Sequence, residues 1–166
     1  MHSPRAYVRR YEGPGPRGGI AAVMKVVVAI DGSHAALHAL REFFELAKEF
    51  TETPEVHLVT VVDYAHVPGT LGKAPAGAPD LLASDAETAQ AVALELANRL
   101  STNVKGVVLR GHTVDEILRY AAELKAKLIV VGTHGRTGVG RAILGSTCEG
   151  MIRHSTLPVL AVRSVK

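Results

Sequence analysis

The chain has 166 residues, of which 47% are hydrophobic and 4% aromatic, with 19 Lys and Arg against 16 Asp and Glu and a single cysteine. This length fits one domain with a sizeable core, and the hydrophobic content excludes a fully disordered chain. A single cysteine excludes a disulfide framework and a Cys-rich zinc site, and the lack of an apolar run of about 18 residues excludes a membrane span.

The net charge of +3 belongs to the first 23 residues. They hold four arginines and one glutamate, so residues 24–166 carry 15 basic and 15 acidic side chains. The first segment also contains four glycines and three prolines without apolar periodicity. We therefore predict a disordered extension over residues 1–23 and a single domain over 24–166. Because the domain has no basic excess, we expect no nucleic-acid partner.

Strands and helices alternate from residue 25 onward. Val26–Ile30 is a continuous apolar run typical of a strand buried on both faces, and Asp31–Ser33 ends it. A helix is predicted to follow as far as about Phe50, and Val56–Val62 is the second predicted strand. The connection Asp63–Leu81 is long, irregular and rich in Gly and Pro. Such a connection either covers a ligand or partner or is a mobile crossover.

Three segments of the form Ser/Thr-x-x-Glu in the second half are typical of helix starts. They predict a helix over Ser84–Leu100 and further helices from Thr113 and from Ser146. Pro158 lacks a backbone N–H, which suits the start of an edge strand. The remaining predicted strands are Val104–Leu109, Leu128–Val131 and Val159–Val162.

Five strands alternating with four helices predict a doubly wound α/β fold, in which a parallel sheet has helices on both faces. Such sheets bind ligands beyond the carboxyl ends of their strands, where the strand order reverses. The segments that follow strand ends are Asp31–Ser33, Asp63, Gly111-His112 and Gly132–Gly140. We expect the functional site among them.

Two glycine patterns resemble nucleotide-binding motifs only by letter. Gly13–Gly18 matches the dinucleotide string GxGxxG, but no strand precedes it and its prolines offer no backbone N–H groups. Gly135–Ala142 approaches a P-loop, in which a Lys and a Ser or Thr are required at the end. Arg141 and Ala142 stand at these positions, which argues against a P-loop NTPase.

A third glycine pattern follows the Leu128–Val131 strand. Gly132–Gly135 is followed ten residues later by Gly145–Thr147 at a predicted helix start. Glycines let the backbone approach a ligand closely, and a helix N-terminus suits a phosphate group. The hydroxyls of the helix start and the cations Arg136 and Arg141 add possible phosphate contacts. The alternative is a Gly-rich connection in which Ser146 is an ordinary helix cap, and the residues alone leave both interpretations open.

Several single residues have two interpretations each. Asp31 either caps the first helix or meets a ribose or a base, since a carboxylate would repel phosphate. Cys148 is predicted to be a small buried apolar residue rather than a reactive thiol. His34 and His38 lie one helical turn apart without the Glu of a HExxH motif, so no zinc site is predicted. His134 either contacts a ligand or shapes its turn.

Three stretches closely resemble the universal stress protein family over residues 24–165: Val28–Ser33, the spaced motif Gly132-x2-Gly135-x9-Gly145-Ser146, and His154–Val162. The spaced motif is typical of the ATP-binding branch of that family. The resemblance implies a five-stranded sheet of order 3-2-1-4-5, ATP accompanied by Mg or Mn, and a homodimer formed through the last strand, Pro158 to Val162.

The resemblance also implies a role for individual residues. Asp31 would lie against the nucleoside, Val61 would meet the adenine edge, and Gly135 and Gly145 would belong to the loop and helix start that hold the phosphates. The predicted nucleotide-binding residues are Ala29, Ile30, Asp31, Val61, Val131, Gly132, His134, Gly135, Arg136, Gly145, Ser146, Thr147 and Cys148.

These observations predict a cytoplasmic, homodimeric, ATP-binding sensor or regulator without a dedicated catalytic reaction. No base is obviously placed to activate a water molecule, and the lysine of a P-loop is missing. One alternative is a slow ATPase or an ATP-splitting enzyme of related fold, which turnover would distinguish. The other alternative is an interaction module that binds no nucleotide.

Overall fold

The computed structural model describes residues 9–12, 23–63, 78–101, 103–134 and 144–164. Strands and helices alternate along most of this length, as the sequence predicts. The elements in chain order are β1 (Arg9–Glu12), β2 (Lys25–Ala29), α1 (His34–Ala47), β3 (Glu55–Val62), α2 (Ala78–Leu100), β4 (Val104–Arg110), α3 (Thr113–Leu124), β5 (Leu128–Gly132), α4 (Ser146–His154) and β6 (Val159–Val162).

The strands form one sheet of order β1-β4-β3-β2-β5-β6. Neighbouring strands from β4 to β6 pair in parallel, so this part of the sheet has the predicted order 3-2-1-4-5. The strand order reverses between β2 and β5, where chain connections leave in opposite directions across the sheet. Pro158 precedes β6, and β6 lies at one edge of the sheet, as Pro158 predicts.

The other edge of the sheet contains a strand that the sequence does not predict. β1 pairs antiparallel with β4, from Arg9 opposite Val108 to Glu12 opposite Lys105. The prediction of disorder over residues 1–23 is therefore wrong for these four residues. The physical reason is that an open strand edge presents backbone N–H and C=O groups, and any extended segment can pair with them without apolar periodicity of its own.

Apolar side chains alternate between the two faces of the sheet. On β2, Val26 and Val28 pack into the layer formed with α1 and α2, whereas Val27 and Ala29 pack into the layer formed with α3 and α4. The helices thus cover both faces, which accounts for the unbroken apolar run of this strand. Among the described residues, no helix has both the length and the apolar character needed to cross a membrane.

The start of α2 differs from its predicted position. The helix begins at Ala78 rather than Ser84, so the predicted irregular connection Asp63–Leu81 overlaps its first turn. Pro79 is tolerated there because the first N–H groups of a helix have no partner within the helix. Ser84 lies inside the helix, where its carbonyl oxygen accepts a hydrogen bond from the Thr88 hydroxyl at 2.9 Å. Residues 64–77 of the connection lie outside the described part of the chain.

Four polar side chains form a cluster near the amino-terminal ends of β3 and β4, at the end of the sheet opposite to the carboxyl ends of these strands. The buried ring of His57 bonds the Tyr120 hydroxyl through Nδ1 at 2.7 Å and the Glu55 carboxylate through Nε2 at 2.6 Å. Lys105 donates to the same Glu55 oxygen at 3.0 Å. This polar cluster connects β3, β4 and α3 across the sheet.

Candidate functional site

A cavity of about 150 Å³ opens at the carboxyl ends of β2, β3 and β5, where the strand order reverses. This is the position at which doubly wound sheets bind ligands. The cavity is lined by Ala29, Ile30, Asp31, Ala36, Val61, Thr113, Ile117, Val131, Gly132, His134, Gly145, Ser146, Thr147 and Cys148.

Eleven of the thirteen predicted nucleotide-binding residues lie on the wall of this cavity. The other two, Gly135 and Arg136, lie outside the described part of the chain, as does Arg141. The structure therefore does not test the phosphate contacts predicted for these residues. Sequence reasoning missed Ala36, Thr113 and Ile117. The last two stand one turn apart at the start of α3, directly after β4, and that spacing after a strand end was the available signal.

The turn between β2 and α1 fixes one side of the cavity. The Ser33 hydroxyl accepts a hydrogen bond from the Ala36 N–H at 3.1 Å, so Ser33 caps α1. Asp31 Oδ1 accepts from the Ser33 N–H at 2.9 Å. The interpretation of Asp31 as the helix cap is therefore wrong, because Ser33 stands at the geometrically correct position. The Asp31 carboxylate instead tightens the turn and lies at the cavity wall.

Gly132 ends β5 and packs directly against the first turn of α1. A Cβ atom at this position would lie 2.8 Å from both the carbonyl carbon and the carbonyl oxygen of Ala35. These are backbone atoms that cannot rotate away. Gly132 is thus required by the packing of α1 on β5, in addition to the close ligand approach predicted from the sequence.

Thr133 joins the end of β5 to the start of α4. Its carbonyl oxygen accepts from the Gly145 N–H at 2.8 Å, and its own N–H donates to the Val162 carbonyl oxygen at 2.9 Å. The Thr133 hydroxyl and His134 Nδ1 lie 2.9 Å apart in a further hydrogen bond. These bonds fix the N-terminus of α4 against the cavity.

Three helices begin at the cavity, and their first turns are satisfied differently. α1 is capped by Ser33, whereas the Thr113 N–H and hydroxyl at the start of α3 both donate to Asp63 Oδ2 at 3.0 Å. α4 follows Gly145, and no described side chain caps it. Because the first N–H groups of a helix lack partners within the helix, the start of α4 offers donors and a partial positive charge to the cavity.

The helices predicted from Thr113 and from Ser146 begin at these residues, but neither residue caps its helix. Thr113 and Ser146 are the first helical residues, and the cap positions are occupied by His112 and Gly145 without a side-chain cap bond. In α3 the capping role passes to Asp63, which lies fifty residues earlier in the chain. In α4, which begins at the cavity wall, none of the described side chains takes that role.

The floor of the cavity is apolar. Val131 and Ile117 are buried beneath it, and Val61 from β3 lies half-buried beside them. Cys148 is buried in the same layer, and burial raises the pKa of its thiol. The thiol therefore stays protonated at neutral pH, in agreement with its prediction as a small apolar residue.

Metal-ligating side chains do not gather in the part of the chain that the structure describes, where no group of three or more His, Cys, Asp or Glu could hold an ion. His34 is exposed, and His38 Nδ1 lies 3.9 Å from the Glu42 carboxylate on the same helix. Asp31 is the carboxylate among the described cavity-lining residues. A divalent ion at this cavity would therefore need most of its ligands from a bound anion and water.

Comparison with known proteins gives a consistent result. The sequence model of the family described as Universal stress protein family matches residues 23–163. Universal stress protein MJ0531 of Methanocaldococcus jannaschii is 33% identical over 155 residues, covering 90% of this chain and 88% of that protein. The chain spans about half the length of other relatives, including 48% of Universal stress protein E of Escherichia coli.

Solved structures share the architecture. Hypothetical protein MJ0577 of M. jannaschii superposes with a TM-score of 0.74 at 23% identity, over 88% of this chain and 99% of that chain. A universal stress protein solved in complex with cAMP superposes with a TM-score of 0.60 at 26% identity, over 86% of this chain and 98% of that chain. The first likeness supports the fold, and the second relates this chain to a protein that holds an adenine nucleotide.

Proposed function

The chain belongs to the Universal stress protein family, and from that membership we propose that its cavity binds an adenine nucleotide, with ATP as the ligand. The observation that carries the proposal is the contrast between the helix starts at the cavity. No side chain in the described part of the chain caps the start of α4, whereas a serine caps α1 and a carboxylate satisfies α3. A solved universal stress protein with 26% identity holds cAMP, which supports an adenine ligand.

The electrostatics of the cavity favour one orientation of the nucleotide. The phosphates bind at the start of α4, where Ser146 and Thr147 contribute hydroxyls beside the backbone N–H groups. The start of α3 is unfavourable for phosphate because the Asp63 carboxylate accepts a hydrogen bond there from the N–H of Thr113, which lines the cavity. The base therefore occupies the end of the cavity that Val61 and Ile117 line.

A magnesium or manganese ion would accompany the phosphates. Its protein ligands would be the hydroxyls of Ser146 and Thr147 and the carboxylate of Asp31, since hard cations prefer oxygen ligands. When bound, the ion neutralises phosphate charge. Without such an ion, the Asp31 carboxylate would repel the phosphates. In that case we expect Asp31 to bind the ribose instead.

Nucleotide binding would serve regulation rather than a dedicated reaction. A ligand at the start of α4 stabilises the junction between Thr133 and Gly145, which also bonds the edge strand β6 through Val162. We propose that a second copy of the chain pairs along β6, whose apolar side chains are only partly buried. β6 lies at an edge of the sheet, so its outward backbone groups are available for that pairing.

The test begins with freshly purified full-length protein. Denaturation followed by mass spectrometry is expected to release an adenine nucleotide, and calorimetry on nucleotide-free protein is expected to show binding of ATP with Mg. The absence of released nucleotide, of heat and of thermal stabilisation with ATP, AMP and cAMP would overturn the proposal. Phosphate or pyrophosphate release at many cycles per minute would identify an enzyme instead of a regulator.

A further inference from the structure

The strand β1 is anchored to the rest of the molecule on one side. In the described part of the chain, β1 makes its extensive contacts with β4 alone, whereas α2 and α3 pack on β3 and β4. The covalent connection from Glu12 to Lys25 joins strands that are not neighbours in the sheet. Residues 13–24, which form this connection, include four glycines and two prolines. β1 is therefore held chiefly by its pairing with β4.

The strand β4 does not depend on β1 for its place in the sheet. It pairs in parallel with β3 along its whole length, Val104–Arg110. Val107 and Leu109 are buried in the layer that includes α3, and Val108 is buried with Ala86 of α2. These contacts remain when β1 leaves. Release of β1 would therefore expose an intact strand edge, to which an extended chain can pair through its backbone.

Hydrogen bonds to β3 show which backbone groups of β4 this edge presents. The Val56 N–H donates to the carbonyl oxygen of Asn103 at 2.9 Å, and the Gly111 N–H donates to the carbonyl oxygen of Val62 at 3.1 Å. Successive residues of a strand direct their N–H and C=O groups to opposite sides. The odd-numbered residues from 103 to 111 therefore face β3, and the even-numbered residues between them face β1.

The same alternation identifies the bonding residues of β1. Gly106 and Val108 direct their backbone groups toward β1, where Tyr11 and Arg9 stand opposite them. In an antiparallel pair, residues opposite each other in this way exchange hydrogen bonds. The backbone groups of Arg10 accordingly point away from β4.

The residue types of β1 suit this edge poorly. Opposite-charge pairs and apolar pairs stabilise neighbouring strands. Of the four described pairs, only Glu12 opposite Lys105 belongs to either class. Arg9 and Arg10 stand opposite two buried valines. A segment with apolar residues at these two positions would pair with β4 more favourably than β1 does.

We propose that the edge of β4 is a docking site for an extended segment of a partner protein, which pairs antiparallel with β4 and displaces β1. The antiparallel direction is the one that β1 itself adopts there. The partner segment has apolar residues opposite Val107 and Val108 and an acidic residue opposite Lys105. β1 is then an intramolecular competitor that covers the edge until such a segment is present. This surface needs no nucleotide, so the inference goes beyond the proposed function.

Two synthetic peptides represent the partner segment in the experiment. The valine peptide, Tyr-Val-Val-Val-Tyr-Glu, repeats residues 7–12 with both arginines replaced by valine. The arginine peptide is the unchanged Tyr-Val-Arg-Arg-Tyr-Glu. Fluorescence anisotropy on the full-length protein is expected to give at least threefold tighter binding of the valine peptide, because it restores apolar pairs. Equal binding of the two peptides would overturn the proposed apolar character of the partner.

Two proline variants test whether β1 competes for the edge. Tyr11→Pro removes the N–H that β1 directs at Gly106, whereas Arg10→Pro removes an N–H that points away from β4. Occupation of the edge by β1 lowers the apparent affinity for a peptide by the fraction of molecules whose edge is free. Tyr11→Pro should therefore bind the valine peptide at least tenfold more tightly than the wild type does, and Arg10→Pro should bind it as the wild type does. Thermal unfolding checks the fold of both variants, and equal affinity in Tyr11→Pro and wild type would overturn the competition.

Methylated peptides test the backbone pairing without a change in the protein. Methyl groups on the backbone nitrogens of the third and fifth residues of the valine peptide remove the donors opposite Val108 and Gly106, and binding should weaken at least tenfold. Methyl groups on the fourth and sixth residues remove outward donors and should leave binding unchanged. Equal effects of the two patterns, or no binding of the valine peptide to wild type and to Tyr11→Pro, would overturn the docking site. β1 would then be a cover for the edge that no second strand replaces.

Hydrogen exchange on the peptide-free protein measures the release of β1 directly. The amides of Gly106 and Val108 face β1, whereas those of Val107 and Leu109 face β3. The first two are expected to exchange at least tenfold faster than the other two, since local opening of β1 exposes them alone. Addition of the valine peptide should slow their exchange. Equal protection of all four amides in the free protein would show that β1 does not open and would contradict its displacement.

Discussion

The carbonyl oxygen of Thr133 accepts a hydrogen bond from the backbone N–H of Gly145 at 2.8 Å, although eleven residues separate them. The Thr133 N–H also donates to the carbonyl oxygen of Val162 in β6. One residue therefore connects the start of α4 with the edge strand. The proposed ligand at α4 and the proposed partner at β6 would act on the same junction, so we expect ATP to strengthen self-association.

The start of α4, which no described side chain caps, gives the first prediction. Ser146→Asp adds a carboxylate that favours the helix dipole but repels phosphate. ATP affinity should fall at least tenfold, as measured by calorimetry, while the melting temperature stays the same or rises. Ser84→Asp makes the same change at an exposed position of α2 and should not affect binding. Unchanged affinity in Ser146→Asp would show that the phosphates bind elsewhere.

The packing of Gly132 on α1 gives the second prediction. In Gly132→Ala, the new methyl group meets the Ala35 backbone at 2.8 Å, so the strand end and the helix must separate. We expect a loss of about 1 to 3 kcal/mol in the free energy of unfolding, measured with urea. Gly150→Ala meets a Val114 methyl group instead and gains helix propensity, so it should cost less. Equal stability of Gly132→Ala and wild type would contradict this packing.

The polar cluster gives a prediction about pH. Burial lowers the pKa of His57. The hydrogen bond to Glu55 raises that pKa, but by less than burial lowers it. Nearby Lys105 and Lys25 lower the pKa of the ring further. For Glu55, burial raises the pKa, but the hydrogen bonds from His57 and Lys105 together lower it below its usual value.

Because the pKa of His57 is lower in the folded protein, the unfolded chain takes up the proton first as the pH falls. The contribution of His57 to stability is therefore complete above about pH 6.5 and is lost below it. Urea unfolding from pH 7.5 to 5 should show this decrease, and His57→Gln should reduce its slope. His154→Gln, at an exposed position, should leave the slope unchanged. A slope of His57→Gln equal to that of the wild type would count against this assignment.

The β6 edge gives a prediction about assembly. The Ile129 N–H donates to the Pro158 carbonyl oxygen, and the Thr133 N–H donates to the Val162 carbonyl oxygen. Successive backbone groups of β6 therefore point alternately toward β5 and away from it, and the Ala161 N–H points away. Ala161→Pro removes that outward donor without removing a bond to β5. The dimer dissociation constant should rise at least tenfold by analytical ultracentrifugation, whereas Ala161→Ser should dimerise normally. A monomeric wild-type protein, or an undisturbed Ala161→Pro dimer, would exclude pairing along β6.

The sequence predicts the sheet and the position of the cavity because both depend on local patterns. Unbroken apolar runs such as Val26–Ile30 define buried strands, and the geometry of a parallel sheet brings their carboxyl ends together. The family resemblance carried by the spaced glycine motif predicts further site residues that are distant in the chain. Eleven of the predicted residues line one cavity.

What the sequence does not reveal depends on partners far away in the chain. Asp63 satisfies the start of α3 across fifty residues, so the local Thr-x-x-Glu pattern at Thr113 marks the helix start but not the side chain that accepts from it. The same distance concealed Thr113 as a cavity residue. β1 is formed by backbone pairing with β4, which no side-chain pattern signals.

The two edges of the sheet differ, and this difference bears on how copies of the chain could pair. A sheet with two open edges can add chains indefinitely, as fibrils do. Here β1 occupies the β4 edge with a segment that precedes the family match at residue 23. In the proposed dimer, pairing along β6 under two-fold symmetry would use the same edge in both copies and would leave the two β1 strands as the outer edges of the combined sheet. Because β1 has only four residues, those outer edges would offer few backbone groups for further pairing.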